Sequence, residues 1–327
     1  MTRIGVVGVG GMGRSHCNSL PKVENCEFVG VADLRLEAAQ EIATQHGIRA
    51  FQDYHELLEI VDGVVVATPP MAHRDVVVAV AEAGVHAFCE KPLSVELADS
   101  DAMIAAADKA GTHIMVGQVL RFYPVHVLGK KLVDEGEIGN ITYLETDYSG
   151  SYGGQRQRPS SWYGTVGGFL ENGIHKSDLI NWFGGNALTV AAEVGSYSGH
   201  EDWEDYVVTL IRYDSEAVGI LRWGRFMGAR GTNDTILDGS KGSLRLDMST
   251  DIAYLKKIGE SEWKEILPDR SVPHGVVGEL THFVDCIREG RTPLVDGRAG
   301  RHAVEVVLAS YRSAKEKSKV SLPMSDA

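Results

Sequence analysis

Short apolar runs punctuate the first 120 residues: RIGVVGVG, EFVGVAD, DGVVVATPP, HAFCE and HIMVGQV. Continuous runs of roughly four to eight apolar residues, bounded by Gly or Pro, fit strands buried on both faces of a parallel sheet. Between them, EAAQEIATQHG and SDAMIAAADKAG are rich in helix formers and each ends at a Gly, as helices with a glycine C-cap do. After about Phe122 the pattern changes to alternation, in ITYLETDY, LTVAAEVGSY, EDYVVTLIRYD and AVGILRWGR, with a hairpin signal in DGSKGS. Two helices, over 276–289 and 298–317, close the chain. The pattern predicts an α/β protein. Its first domain, 1–122, is a Rossmann-type doubly wound parallel sheet. Its second, 123–327, is an α+β domain with a large, mostly antiparallel open sheet. Helix 298–317 is a candidate to pack back on the first domain.

Bulk properties narrow the function. The chain has 327 residues, 43% hydrophobic, enough for packed cores in two domains. Its 45 acidic and 32 basic side chains give a net charge of −13, which repels a phosphate backbone and argues against nucleic acid as partner. Cys17, Cys26, Cys89 and Cys286 are scattered, with no C-x-x-C pair or metal-ligand spacing, so a reduced compartment and no metal are expected. No apolar run approaches the ~20 residues that span a bilayer, and the sequence reads into its first strand pattern without a basic n-region or a cleavable apolar stretch. A cytoplasmic protein without membrane contact is the expectation.

GVGGMG places Gly8, Gly10 and Gly13 in the spacing G-x-G-x-x-G, after a strand and opening a helix. Gly8 allows the tight turn, Gly10 lets a pyrophosphate approach the backbone, and Gly13 lets the helix pack on the strand, so the helix N-terminus faces the anion. Asp33, at the end of the second strand, is placed to accept hydrogen bonds from the adenosine ribose and to repel a 2′-phosphate. NAD is therefore favoured over NADP, with Arg35 nearby as the one contrary sign. Ligands of such sheets lie beyond the carboxyl ends of the strands. The expected cofactor contacts are accordingly Gly8, Gly10, Gly11, Met12, Gly13, Asp33, Leu34, Thr68, Pro69, Pro70, His73, Glu90, Lys91 and Gln118. Pro92 is a candidate cis proline, His73 has a helix-start structural role as its alternative, and His16 reads as a residue of the first helix.

Residues 167–185, GGFLENGIHKSDLINWFGG, have helix length and glycines at both ends. Wound at 3.6 residues per turn, Glu171, His175, Asp178 and Trp182 share one stripe. An acid, a base and a second acid on one stripe suit a chemical site better than a core.

The set GVGGMG, TPPMAH, CEKPL and GGFLENGIHKSD resembles the glucose-fructose oxidoreductase/inositol dehydrogenase (Gfo/Idh/MocA) family, and GQVLRFYP and the closing helices extend the likeness over the chain. The resemblance implies an NAD(P)-dependent oxidoreductase acting on a ring hydroxyl or ketone of a sugar, inositol or related polyol. A use of the same fold as an NAD-retaining glycoside hydrolase or lyase is the alternative. Lys91 matches the lysine of the Glu-Lys-Pro motif and His175 the helix histidine. Glu171 stands where many members have Asp, which leaves a substrate contact open to Asn172. The expected catalytic residues are Lys91, His175 and Glu171. The expected substrate contacts are Lys91, Arg121, Tyr152, Arg156, Arg158, Trp162, Asn172 and His175. Arg121 has an ion pair, and Arg156 and Arg158 a solvated loop, as their alternatives. Asp178 is expected to support the helix or the ring. The open sheet and the resemblance together point to a homodimer or homotetramer.

Overall fold

The computed structural model describes residues 1–150, 165–196, 204–225 and 231–324. The chain divides into two compact units, residues 1–119 with 272–301 and residues 120–271 with 302–327.

In the first unit β1 (Thr2–Val7), β2 (Cys26–Ala32), β3 (Arg49–Phe51), β4 (Gly63–Val66), β5 (His86–Cys89) and β6 (Ile114–Val116) pair in parallel in the order β3-β2-β1-β4-β5-β6. The connecting helices are α1 (Gly11–Ser19), α2 (Leu36–His46), α3 (Tyr54–Leu58), α4 (His73–Glu82) and α5 (Leu97–Ala110). Every residue of β4 is buried, which is why these strands read as unbroken apolar runs. Strand order reverses between β1 and β4, so a ligand is expected beyond the carboxyl ends of those two strands.

The second unit opens with α6 (Pro124–Asp134) and β7 (Ile141–Ser149), followed by α7 (Ile174–Gly184), β8 (Ala187–Gly195), β9 (Tyr206–Tyr213), β10 (Val218–Gly224), β11 (Asp234–Gly239), β12 (Gly242–Asp247), β13 (Ile252–Lys257) and β14 (Lys264–Ile266). With β15 (Val320–Ser321) they form a nine-stranded sheet in the order β14-β13-β12-β11-β7-β10-β9-β8-β15. β7 and β10 pair in parallel and the other neighbours antiparallel, as the alternating pattern predicts. In β9, Val207, Thr209, Ile211 and Tyr213 are buried, while Val208, Leu210 and Arg212 face solvent. α7 packs against β7 and β10, and the buried Tyr213 hydroxyl donates to Asn181 Oδ1 at 3.0 Å.

After β14 come α8 (Gly275–Glu289) and α9 (Gly297–Glu316). The unit boundaries differ from the sequence reading. The first break falls at Val119 rather than Phe122, and the stretch that returns to the first unit is Val272–Arg301, led by α8, rather than 298–317. The reason is apolar burial. Leu280, Phe283 and Val284 are fully buried, and the Phe283 ring meets Phe88 edge-on at 5.8 Å between centroids. Each such side chain contributes about 1.5–3 kcal/mol relative to exposure. At Gly63 a Cβ would lie 2.8 Å from Ile287 and 3.1 Å from Phe283, so a small residue there lets α8 lie close.

Candidate active site

In the first unit the glycine turn is built as its spacing requires. Gly8 has φ +89°, and a Cβ there would sit 2.9 Å from the Ala67 carbonyl oxygen; at Gly13 a Cβ would lie 1.9 Å from Gly8 O. Those two glycines are needed by the fold. At Gly10 and Gly11, by contrast, a Cβ would meet nothing within 4 Å. Gly10 also opens α1 without a side-chain cap, so the first helical N–H groups are turned toward open space, where an anion would be held. Met12 and Leu34 are exposed at 37% and 85%.

Asp33 is fixed from two sides: its Oδ2 accepts from Val9 N and its Oδ1 from Arg35 N, both at 2.9 Å. The first bond ties the acid at the end of β2 to the glycine turn. Beyond β4, Thr68 Oγ1 is buried with no hydrogen-bond partner, and Pro69 and Pro70 follow it. A cradle that a Cβ would fill, an anchored acid and an orphaned hydroxyl along one sheet edge fit a dinucleotide.

Three of the expected cofactor contacts are buried. His73 is fully buried; its Nδ1 lies 3.1 Å from the carbonyls of Pro92 and Leu93 and its Nε2 2.9 Å from that of Thr68, so it braces the strand ends instead of offering an edge to ribose. Glu90 is 6% exposed, with Oε1 2.6 Å from His16 Nε2 and Oε2 accepting from Lys91 N at 3.1 Å. Gln118, two residues after β6, is 1% exposed. His16, read as an ordinary helix residue, lies one turn after Gly13 on the same buried face, and that spacing was the available signal. With Glu279 of α8, His16 and Glu90 form a buried group whose imidazole and carboxylate atoms lie within 4.8 Å of one another.

Lys91 follows this buried group. The Lys91–Pro92 peptide is cis, and in the run Ala87–Ser94 every residue is buried except Lys91, which is half-exposed.

In the second unit, Phe169–Gly173 forms a π-turn that leads into α7. The simple 3.6-residue stripe therefore begins at Ile174, with Glu171 on the i→i+5 turn before it. The first N–H groups are capped by residues distant in sequence. Phe169 N donates to Glu204 Oε1 at 2.6 Å, the Tyr311 hydroxyl donates to the same oxygen at 2.5 Å, and Leu170 N donates to the Tyr311 oxygen at 3.1 Å. An acid at a helix start complements the helix dipole, although burial pushes the Glu204 carboxyl up from its usual range.

From Gly173 to Asn181 every residue is buried except His175. Asn172 Oδ1 accepts from Trp223 Nε1 at 3.0 Å, and Glu171 Oε2 lies 3.9 Å from Arg225 Nη2. Asp178 does support the helix: both its oxygens accept from Arg121, Nε at 2.8 Å and Nη2 at 2.6 Å, and the Arg121 guanidinium lies 5.3 Å from the Trp182 ring. Arg121, expected as a substrate contact with an ion pair as its alternative, forms a buried ion pair here, as a buried carboxylate needs. Lys176 is buried among Asp147, Asp234 and His126; burial pushes its ammonium down to about 7 and the His126 imidazole to about 3. Tyr152, Arg156, Arg158 and Trp162 lie outside the described residues.

The fold and these clusters define a dinucleotide-dependent oxidoreductase with a Rossmann unit and a second, α+β unit. Comparison with known proteins agrees. The model of the Gfo/Idh/MocA oxidoreductase family, described as having an NAD-binding Rossmann fold, matches residues 2–118, and that of its C-terminal alpha/beta domain matches residues 130–322. The chain belongs to this family, and it is an NAD-dependent oxidoreductase. It is 29% identical over 98% of its length to scyllo-inositol 2-dehydrogenase (NAD(+)) of Bacillus subtilis, covering 96% of that protein. It is also 29% identical to the myo-inositol 2-dehydrogenase of Thermotoga maritima, with 98% of each chain covered. Among solved structures, levoglucosan dehydrogenase in complex with NADH and levoglucosan superposes with a TM-score of 0.89 over 99% of this chain and 100% of that one, at 23% identity, a likeness of fold. No helix among the described residues is long and apolar enough to cross a membrane.

Proposed function

We propose that the protein transfers a hydride between NAD and a ring hydroxyl or ketone of an inositol, a sugar or a related polyol, with His175 as general base and Lys91 as electrostatic stabiliser. The carrying observation is that each is the one half-exposed residue in an otherwise buried run, Ala87–Ser94 and Gly173–Asn181. A packed surround with a single reachable polar tip is what holding a reacting group in place requires. The inositol dehydrogenases that the chain resembles over nearly their whole length support a polyol substrate.

When bound, NAD would supply the acceptor for the hydride of the carbinol carbon. The hydroxyl proton passes to the His175 imidazole, a base whose ordinary pKa near ~6.5 suits neutral pH. Lys91, as an ammonium, donates a hydrogen bond to the same oxygen as negative charge develops on it. Asp33 would hold the adenosine ribose and the N-terminus of α1 the pyrophosphate. Glu171 is placed to hydrogen-bond the substrate or orient the imidazole, its charge balanced by Arg225, and Asn172 contacts the substrate. Tyr152, Arg156, Arg158 and Trp162 are further proposed substrate contacts.

Incubation with NAD and a panel of inositols and aldoses, read by NADH absorbance, tests the reading: net NADH from a polyol supports it. Product formation without net NADH supports the hydrolase or lyase use instead.

The working form is a homodimer or homotetramer, a second copy covering the sheet face that exposes Leu188, Val208 and Leu210 at 45%, 39% and 48%. Light scattering tests this, and a monomer overturns it. Four unpaired cysteines favour a cytoplasmic setting.

A further inference from the structure

The cluster of His16, Glu90 and Glu279 is not used by the reaction as described. It brings together α1, the end of β5 and α8, all in the first unit, and none of the three side chains is more than 7% exposed. Glu90 is the hub, since one oxygen meets the imidazole and the other accepts from the backbone N–H of Lys91. Glu279 Oε2 and His16 Nδ1 have no hydrogen-bond partner among the described residues.

Two carboxyls and one imidazole confined within 4.8 Å need a cation or a shared proton. The geometry decides between them. Two atoms bound to one tetrahedral ion at about 2.0–2.2 Å stand about 3.3 Å apart. The His16–Glu90 separation is 2.6 Å, a short charge-assisted hydrogen bond. A proton fits and a metal does not.

We propose that His16 and Glu279 are positioning residues for Lys91: with Glu90 they form a buried carboxyl–imidazole cluster that fixes the Lys91 peptide at the end of β5, with Glu279 kept as the neutral acid. The directions of titration agree. Burial and the neighbouring Glu90 push Glu279 well above the usual carboxylate range. Burial opposes ionisation of Glu90, but His16 and Lys91 outweigh it and hold that carboxyl below its usual range. The two carboxyls are pushed in opposite directions, as expected where two share a site. A carboxylate that meets both the imidazole and the Lys91 N–H locks the residue whose ammonium stabilises the developing charge, and a misplacement of about 1 Å at a reacting group costs about 100-fold in rate.

The inference rests on the reading of Lys91 as catalytic, so Lys91→Met is the comparator. The experiment uses full-length enzyme with saturating NAD and the polyol that turns over, comparing wild type, His16→Ala, His16→Asn, Glu279→Ala, Glu279→Gln and Lys91→Met. The infrared carbonyl band of a protonated carboxyl is followed from pH 6 to 9. The expected result is a band that persists to pH 8 in wild type and disappears in Glu279→Gln. His16→Ala, His16→Asn and Glu279→Ala lower kcat about 10- to 100-fold with KM for NAD within about twofold, and Glu279→Gln restores most of that loss. Absence of the band at neutral pH, one divalent metal per purified chain, or unchanged kcat in both His16 variants overturns the inference. Unchanged kcat in Lys91→Met overturns instead the role assigned to the lysine, while the infrared band still decides the state of Glu279.

Discussion

Arg121 and Asp178 meet as a bidentate pair, Nε to Oδ2 at 2.8 Å and Nη2 to Oδ1 at 2.6 Å, with side chains 7% and 0% exposed. Asp178 stands one turn after His175 on α7, so this pair fixes the rotation of the helix that presents the imidazole. Removing one partner strands a buried charge, at a cost of about 3–5 kcal/mol, whereas replacing both by apolar residues of similar size is often close to neutral. Asp178→Ala is therefore expected to lower stability by about 3–5 kcal/mol in urea titration. The double variant Arg121→Met/Asp178→Leu is expected to recover most of that stability. Equal losses in the single and double variants would show that the pair is not what holds the helix.

The glycine turn separates folding from binding. A Cβ at Gly13 would lie 1.9 Å from Gly8 O, while one at Gly10 meets nothing within 4 Å. Gly13→Ala is expected to lose several kcal/mol of stability or fail to fold, as for a clash with fixed backbone. Gly10→Ala is expected to keep its melting temperature within about 2 °C and to weaken NAD binding more than about tenfold, because the methyl occupies the pyrophosphate path. Calorimetry with and without NAD reads both.

Lys176 gives the protein a pH signature. Burial lowers its pKa from 10.5 to about 7, and the charged or titratable groups facing it are Asp147, Asp234 and His126. Between about pH 7 and pH 10.5 the unfolded chain binds the proton that the folded chain has released, so the Lys176 contribution rises with pH across that window. Its destabilising effect is full below the folded pKa. Lys176→Met is therefore expected to raise the melting temperature most near pH 6, with the advantage shrinking steadily toward pH 10. An advantage independent of pH would mean that the lysine does not titrate in this range.

What the sequence made legible was local. Gly8, Gly10, Gly13 and Asp33 announce themselves because a turn, a helix start and a strand end lie within one contiguous unit, and the structure ties Asp33 to that turn through Val9 N. The hairpin of β11 and β12 was readable for the same reason. β3 is three residues long and α3 five, too short for a period to show. The partners that finish the site come from afar: Glu204 and Tyr311 cap the start of the π-turn from 35 and 141 positions away, and His16 reaches Glu90 across 74. Arg121 and His73 kept two readings each for a related reason. Sequence position shows that a polar side chain lies near a strand end, but only packing shows whether a buried carboxylate or carbonyl has already claimed it.

The most direct test of the central claim is the single-turnover rate of NADH formation, with saturating NAD and the preferred polyol, in wild type, His175→Asn and Lys91→Met. Each substitution is expected to slow hydride transfer by about 10²- to 10⁴-fold while NAD affinity, measured separately by calorimetry, stays within about threefold. Hydride transfer at the wild-type rate in either variant, with the fold and NAD binding intact, would contradict the account.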